Sequence, residues 1–253
     1  MENYNFCCVF ICNKNYLSKF IKTCTQLIEN GCYNGNICLI IGDDLNETIK
    51  TNEFIIKNKI IIKYFPDIIF PKSFYEINDN INTDGRNILK KFQWHKLYLF
   101  NIFLKKWNYI LYIDCGMNIF SNINYIIECK MKHTLLAHSD AYPTYEWKLN
   151  TQFDKNNKLY HNLNNNYNLN IDYFQTTMML YDTTIIKENT FQDLYNLSVK
   201  YPISRTNEQG IISLYFTNII NIWKQIQIKN DNIYFYDYLQ RNSKNKYIML
   251  KCI

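Results

Sequence analysis

Residues 109–120 read Tyr-Ile-Leu-Tyr-Ile-Asp-Cys-Gly-Met-Asn-Ile-Phe, and this stretch limits the fold more than any other in the chain. Five β-branched, aromatic and leucine side chains in a row form an interior strand of an α/β sheet, and Asp114 ends it. In open α/β sheets ligands bind outside the carboxyl ends of the strands, so a carboxylate at that point is placed to meet one. The competing reading is an aspartate that only caps the next turn.

The flanking segments supply the rest of such a sheet. Residues 5–12 form a buried strand, and 15–30 carry Tyr16, Phe20, Cys24, Leu27 and Ile28 at helical spacing, with Gly31 as the stop. Further strands follow at 36–41, with Gly42-Asp43-Asp44 as the turn, and at 59–64, which completes a βαβ unit of a parallel sheet. Residues 86–107 are apolar on nearly every face and predict a helix buried between layers. Beyond Asp114 the pattern predicts a short helix at 123–129, a strand at 133–138, a strand at 173–181, helices at 188–200 and 208–217, and a last strand at 222–228. Residues 155–170 are Asn-rich and predict an unpacked loop.

With 253 residues the chain can bury a full core, and it reads as one domain over 1–253. The heavy use of Asn, Ile, Lys, Tyr and Phe is the bias of an AT-rich coding genome, such as that of some large DNA viruses or protists. The net charge of +6 is spread along the chain, which favours anionic small ligands over a nucleic-acid partner. Nine cysteines without a CxxC pair or a Cys/His cluster argue against zinc and for reduced thiols in a cytoplasmic setting. The apolar run from Phe6 to Cys12 is too short for a signal core or a transmembrane segment, which leaves peripheral membrane contact open.

Four ordered segments resemble the GT-A glycosyltransferases, most closely the family 8 group that includes glycogenin and bacterial galactosyltransferases. Cys12-Asn13-Lys14-Asn15-Tyr16 is similar to the turn after the first strand, whose Asn-x-x-Tyr contacts the uracil and ribose of UDP. Lys96-Leu-Tyr-Leu-Phe, leading into the Asp114 strand, is similar to the nucleotide-binding lysine helix and the DxD strand. Phe174-Gln175-Thr176-Thr177 resembles the Phe-Asn-Ser/Ala-Gly strand beside the donor sugar, and Asn207-Glu208-Gln209-Gly210 the Asp-Gln-Gly helix start. The resemblance implies an α/β, Rossmann-like GT-A domain that moves a hexose or N-acetylhexosamine from a UDP-sugar to a protein, glycan or lipid acceptor, with retention.

That resemblance places Cys12, Asn13, Tyr16, Lys96, Asp114, Gly116, Gln175 and Thr176 at the donor, and Glu208, Gln209 and Asp140 at the chemistry. Each has a plainer reading beside it. Asn13 starts a turn and Tyr16 packs as the first helical residue. Lys96, which on the resemblance meets a phosphate as a point charge, is otherwise a snorkelling surface lysine. Gly116 serves a tight turn or a close backbone approach, Asp140 is a turn acid before Pro143, and Glu208 is a partner of a helix dipole. The main departure from the family is Gly116 at the second DxD acid, together with the missing C-terminal His-x-x-Gly-x-x-Lys segment. Mn²⁺ or Mg²⁺ held by Asp114 is therefore one expectation, and neutralisation by Lys96, Arg86, Arg205, Arg241 or Lys251 the other. The broken motif also leaves a catalytically silent UDP-sugar-binding or scaffold protein as the alternative function.

Overall fold

The computed structural model describes residues 5–81, 88–230, 233–238 and 246–251. Its elements in chain order are β1 (Phe6–Cys12), α1 (Leu17–Glu29), β2 (Asn36–Ile41), α2 (Glu53–Lys57), β3 (Ile61–Tyr64), α3 (Lys72–Ile81), β4 (Tyr109–Ile113), β5 (Met117–Ile119) and α4 (Asn124–Ile127). There follow β6 (Leu135–Ser139), α5 (Leu159–Asn166), β7 (Phe174–Asp182), α6 (Thr190–Lys200), α7 (Glu208–Leu214), β8 (Trp223–Gln225), β9 (Lys229–Asn230), β10 (Ile233–Tyr238) and β11 (Lys246–Lys251).

Seven strands form a central sheet in the order β3-β2-β1-β4-β7-β6-β8, the first four running parallel and β7 antiparallel to both its neighbours. Alternation along β1 shows why these strands lie inside. Cys7, Val9 and Ile11 face one apolar layer, formed by residues 94–104 together with α6 and α7, while Cys8, Phe10 and Cys12 face the other, formed by α1, α4 and the smaller sheet. A strand buried on both faces cannot carry polar residues until it ends, so its polar groups collect at the edge.

The topology gathers three chain segments at that edge. Ile113 pairs with Met178 and Ser139 with Phe174, so the ends of β4 and β6 lie beside the start of β7. A second sheet, ordered β5-β11-β10-β9, packs next to it. Lys251 pairs with Met117 in that sheet, which sets the end of β11 against the turn that follows Asp114.

The sequence expectation left out α2, α3 and β5, and three further features differ from it. Residues 88–100 and 102–106 are 3₁₀ turns rather than an α-helix, broken where the Asn101 side chain accepts from the amide of Phe103 at 2.9 Å. A segment apolar on every side has no stripe to favour the 3.6-residue period, and burial from both layers decides its form. The Asn-rich stretch holds helix α5 rather than an unpacked loop, because Leu163 and Leu169 are buried and Tyr201 donates to Asn162 Oδ1 at 2.9 Å. Strands β9, β10 and β11 lie beyond the last expected strand. Among the described residues, no helix is long and apolar enough to cross a membrane.

Candidate functional site

Lys96 stands at the centre of the edge cluster. Its ammonium lies 3.1 Å from Asp114 Oδ1 and 3.0 Å from Glu208 Oε1, and donates to Thr176 Oγ1 at 3.4 Å and to the Thr176 carbonyl at 3.5 Å. Four oxygens from three elements thus surround one cation. All three charged side chains are nearly out of solvent, with Lys96 10% exposed, Asp114 17% and Glu208 3%. Lys96 is therefore neither a snorkelling surface lysine nor an ammonium left free for a phosphate; it is buried and already paired. Burial lowers its affinity for a proton, but Asp114 and then Glu208 outweigh that and hold it above the ordinary lysine range.

The two carboxylates respond in opposite directions. Burial raises both, but at Asp114 the attraction of Lys96 and Lys251 prevails and its pKa falls below the usual value. At Glu208 burial prevails over Lys96, and the pKa rises. Lys251 reaches Asp114 Oδ2 at 3.4 Å and the Cys115 carbonyl at 3.2 Å, while the Tyr112 hydroxyl donates to Asp114 Oδ1. Glu208 Oε1 also accepts from Thr176 Oγ1 at 3.1 Å. Glu208 Oε2 is buried and has no hydrogen-bond partner among the described residues.

A second, neutral-donor network adjoins the first. Asp140, past the end of β6, accepts from the Tyr173 hydroxyl at 2.7 Å, from Gln175 Nε2, and from Gln209 Nε2 at 3.5 Å. Gln209 Nε2 donates to Gln152 Oε1 at 3.0 Å and its Oε1 accepts from the Thr176 amide at 3.2 Å, tying the two networks together. Tyr236 on β10 donates to Gln175 Oε1 at 2.6 Å. Asp140 is thus more than a turn acid, and Glu208 more than a dipole partner.

The backbone around Glu208 is itself unusual. Asn207 has φ 53° and ψ −125°, in a turn closed by the Gln209 amide donating to the Thr206 carbonyl at 3.2 Å. Ser204 Oγ donates to the Asn207 carbonyl at 2.5 Å, and Asn207 Nδ2 to Gln93 Oε1 at 2.6 Å. A positive φ on a residue with a Cβ persists only where its surroundings enforce it.

The β1 turn is built differently. Asn13 Oδ1 accepts from the Tyr16 amide at 3.2 Å and so caps a short 3₁₀ turn, and the Cys12 thiol is buried and donates to the Asn13 carbonyl at 3.0 Å. Tyr16 is 46% exposed, with the Lys19 ammonium 4.8 Å from its ring centre. Gly116 has φ +90°, its amide donates to Thr23 Oγ1 at 3.0 Å, and a Cβ placed on it would lie 3.5 Å from Lys19 Cδ and 4.0 Å from Lys251 Nζ. Tyr16, Lys19, Gly116, Lys251 and Asp114 thus form one continuous wall. The left-handed backbone at 116 is one that glycine adopts without strain.

The expected residues Lys96, Asp114, Thr176, Glu208, Gln209, Asp140 and Gln175 come together, as does Lys251. Arg205 is exposed and its side chain has no described contact with the cluster; Arg86 and Arg241 lie outside the described residues. Sequence reading missed Lys19, Tyr173, Gln152 and Tyr236. Lys19 lies one helical turn after Tyr16, a spacing legible in advance, whereas the other three depend on long-range pairing.

The donor set does not fit a divalent ion held by Asp114. Both its oxygens pair with lysine ammonium groups, and those of Asp140 are taken by a tyrosine and two glutamines. Among the described residues no group of three or more His, Cys, Asp or Glu side chains is arranged to hold a metal.

No family model and no curated protein sequence matches the chain. Solved structures do. The chain is similar over 98% of its length to the WbbM bifunctional glycosyltransferase, with 12% identity and a TM-score of 0.61, and spans 45% of that protein's length. It is similar over 92% to the galactosyltransferase LgtC solved with donor and acceptor sugar analogues, at 11% identity, 75% of that chain and a TM-score of 0.61. The core-mannan synthase A of Aspergillus fumigatus, in its Mn/GDP form, matches 88% at 12% identity, 73% of that chain and a TM-score of 0.52. At such identities the likeness speaks for architecture alone, and it assigns the chain the GT-A glycosyltransferase fold.

Proposed function

We propose that this chain is a glycosyltransferase similar to the family 8 group, moving a hexose or N-acetylhexosamine from a UDP-sugar to a protein, glycan or lipid acceptor with retention. One observation carries the reading: Lys96, Asp114, Glu208, Gln209 and Asp140 converge from separate segments at the carboxyl edge of the sheet. A buried cluster of charges is a poor way to hold a fold together, because desolvation offsets most of the Coulomb attraction. Its placement where α/β sheets bind ligands gives that cost a purpose.

In this reading the turn at Cys12, Asn13 and Tyr16 receives the base, with the tyrosine ring as a stacking surface. Lysines on the wall from Tyr16 to Asp114 face the diphosphate, and the Gly116 backbone permits its close approach. Asp140, Gln175 and Thr176 border the donor sugar, whose hydroxyls replace some of the amide and hydroxyl partners that these groups hold in the free protein. Transfer breaks the bond from the anomeric carbon to the diphosphate oxygen and forms one to the acceptor oxygen, whose proton passes to the leaving phosphate. Glu208 lies beside that carbon and stabilises its developing positive charge, and Gln209 orients the acceptor. The reading includes a cytoplasmic, reducing setting for the free thiols.

The test is a thermal-shift and hydrolysis panel of UDP, GDP, ADP and UDP-sugars. The core-mannan synthase A structure holds GDP, so guanine is the base to set against uracil. UDP at about 100 times its Kd is expected to add roughly 2.7 kcal/mol of stability, with slow hydrolysis of one UDP-sugar. Equal shifts with all three nucleotides would remove the uridine assignment. Clear UDP binding with no turnover of any UDP-sugar would favour the silent binding protein.

A further inference from the structure

We propose that donor binding and transfer here need no divalent metal ion: Lys96 occupies the point between Asp114 and Glu208, and Lys251, with Lys19 at the rim, neutralises the diphosphate. This rests on the nucleotide-sugar reading above and deepens it.

A hard divalent ion that binds a nucleotide diphosphate needs carboxylate oxygens free to face it, at about 2.0–2.6 Å depending on the ion. Among the described residues the edge offers three acids, each engaged through at least one oxygen, and the oxygen left without a partner, Glu208 Oε2, is buried. Asp114 gives one oxygen to Lys96 and the other to Lys251, Glu208 gives Oε1 to Lys96, and Asp140 is held by Tyr173, Gln175 and Gln209. Position 116, where a second acid would stand, is a glycine with φ +90°. The space between the two nearest carboxylates is filled by an ammonium with four oxygens around it. An ion entering there would have to expel a buried, doubly paired lysine.

The two lysines differ in what they can do next. Lys96 is surrounded and has no reason to turn away from its carboxylates. Lys251 is 22% exposed, makes a single 3.4 Å ion pair, and stands 4.0 Å from the Cβ position of Gly116, on the open wall. A phosphate arriving over Gly116 meets the Lys251 ammonium without disturbing the buried pair. Lys19, exposed and next to the same glycine, adds a further positive charge on the route from the tyrosine ring. Lysine suits this role as a point charge on a flexible stem.

The experiment measures UDP affinity by calorimetry on the intact protein, once in EDTA and once in excess Mn²⁺. It is paired with a Mn²⁺ titration followed by electron paramagnetic resonance in the presence of UDP. The expected result is a Kd equal within about twofold in the two buffers and no tight Mn²⁺ site, since neither depends on an ion. Lys251→Ala and Lys251→Gln are expected to weaken UDP about tenfold in both buffers, while Lys251→Arg retains most of the affinity. A gain of about tenfold or more with Mn²⁺, or a Lys251→Ala variant that binds UDP as the parent does, overturns the proposal. Binding of neither UDP nor GDP in either buffer brings down the nucleotide-sugar reading itself, and this inference with it.

Discussion

The turn after β1 and the cluster between β4, β7 and α7 sit at the same sheet edge, yet they are built on opposite principles. In the turn every polar group acts locally, since Asn13 caps, Cys12 bonds the neighbouring carbonyl, and Tyr16 lies open under Lys19. In the cluster the groups come from residues 96, 114, 176 and 208, and three of them carry charge with little water. The turn would exist without a ligand. The cluster is hard to justify by stability alone, because hydrophobic residues of similar volume often serve a fold as well or better. In the proposed reading the turn is a scaffold that accepts a base, and the cluster a preorganised device whose energetic burden serves the transfer.

The largest expected effect comes from breaking the cluster at its centre. Lys96→Met leaves Glu208 without a cation and Asp114 with Lys251 alone, which is expected to destabilise the protein by about 3–5 kcal/mol in urea unfolding. Adding Glu208→Gln removes the stranded charge, so the double variant is expected to be more stable than the sum of the single losses. Strict additivity would mean that the two side chains do not sense each other, and the comparison would collapse.

Next comes the chemistry. Glu208→Gln keeps the size of the side chain and removes its charge, and is expected to lower kcat for UDP-sugar transfer or hydrolysis about tenfold or more with little change in UDP affinity. Unchanged turnover would shift the role to Gln209 or Asp140 and return Glu208 to its helix-start reading.

A smaller effect concerns the backbone that presents Glu208. Asn207, at φ 53°, is in a conformation that glycine adopts freely. Asn207→Ala is expected to cost about 1 kcal/mol of stability through strain and the lost bond to Gln93, and to lower kcat along with it. Asn207→Gly, which keeps the turn, is expected to be the more stable of the two. This order is the reverse of helix propensity, so a more stable alanine variant would show that the strain at 207 is not what holds Glu208 in place.

Much of the frame was legible in the sequence because it rests on local pattern. The β1 and β4 runs, the helix after Asn13 and the stop at Asp114 follow from composition and period, and each is where the pattern puts it. The site residues were legible as types at strand ends, though not as partners. That Lys96 is already paired depends on the packing of residues 88–100, whose 3₁₀ form no apolar stripe announces. Lys251 was one cation among several until the register of β11 against β5 set it beside Asp114. Helix α5 escaped notice because Asn-rich composition masks the two leucines that pin it. Long-range pairing is the common element in these omissions, and a single sequence does not carry it.

The smallest expected effect on stability tests the other half of the comparison. Tyr16 is nearly half exposed and lends its ring to Lys19 rather than to the core, so Tyr16→Ala is expected to change stability by no more than about 0.5 kcal/mol. If the ring stacks on the base of the donor, the same change is expected to weaken UDP by about fivefold, since stacking a base on an aromatic side chain contributes roughly 1 kcal/mol or more. Tyr16→Phe separates ring from hydroxyl and is expected to bind UDP as the parent does. Asn13→Ala gives the contrast within the turn: it removes the oxygen that caps the Tyr16 amide, so it is expected to lower stability by about 1 kcal/mol and to disturb affinity only through the position of the ring. Should Tyr16→Ala leave UDP affinity untouched, the base lies elsewhere on the edge, and the turn is scaffold only.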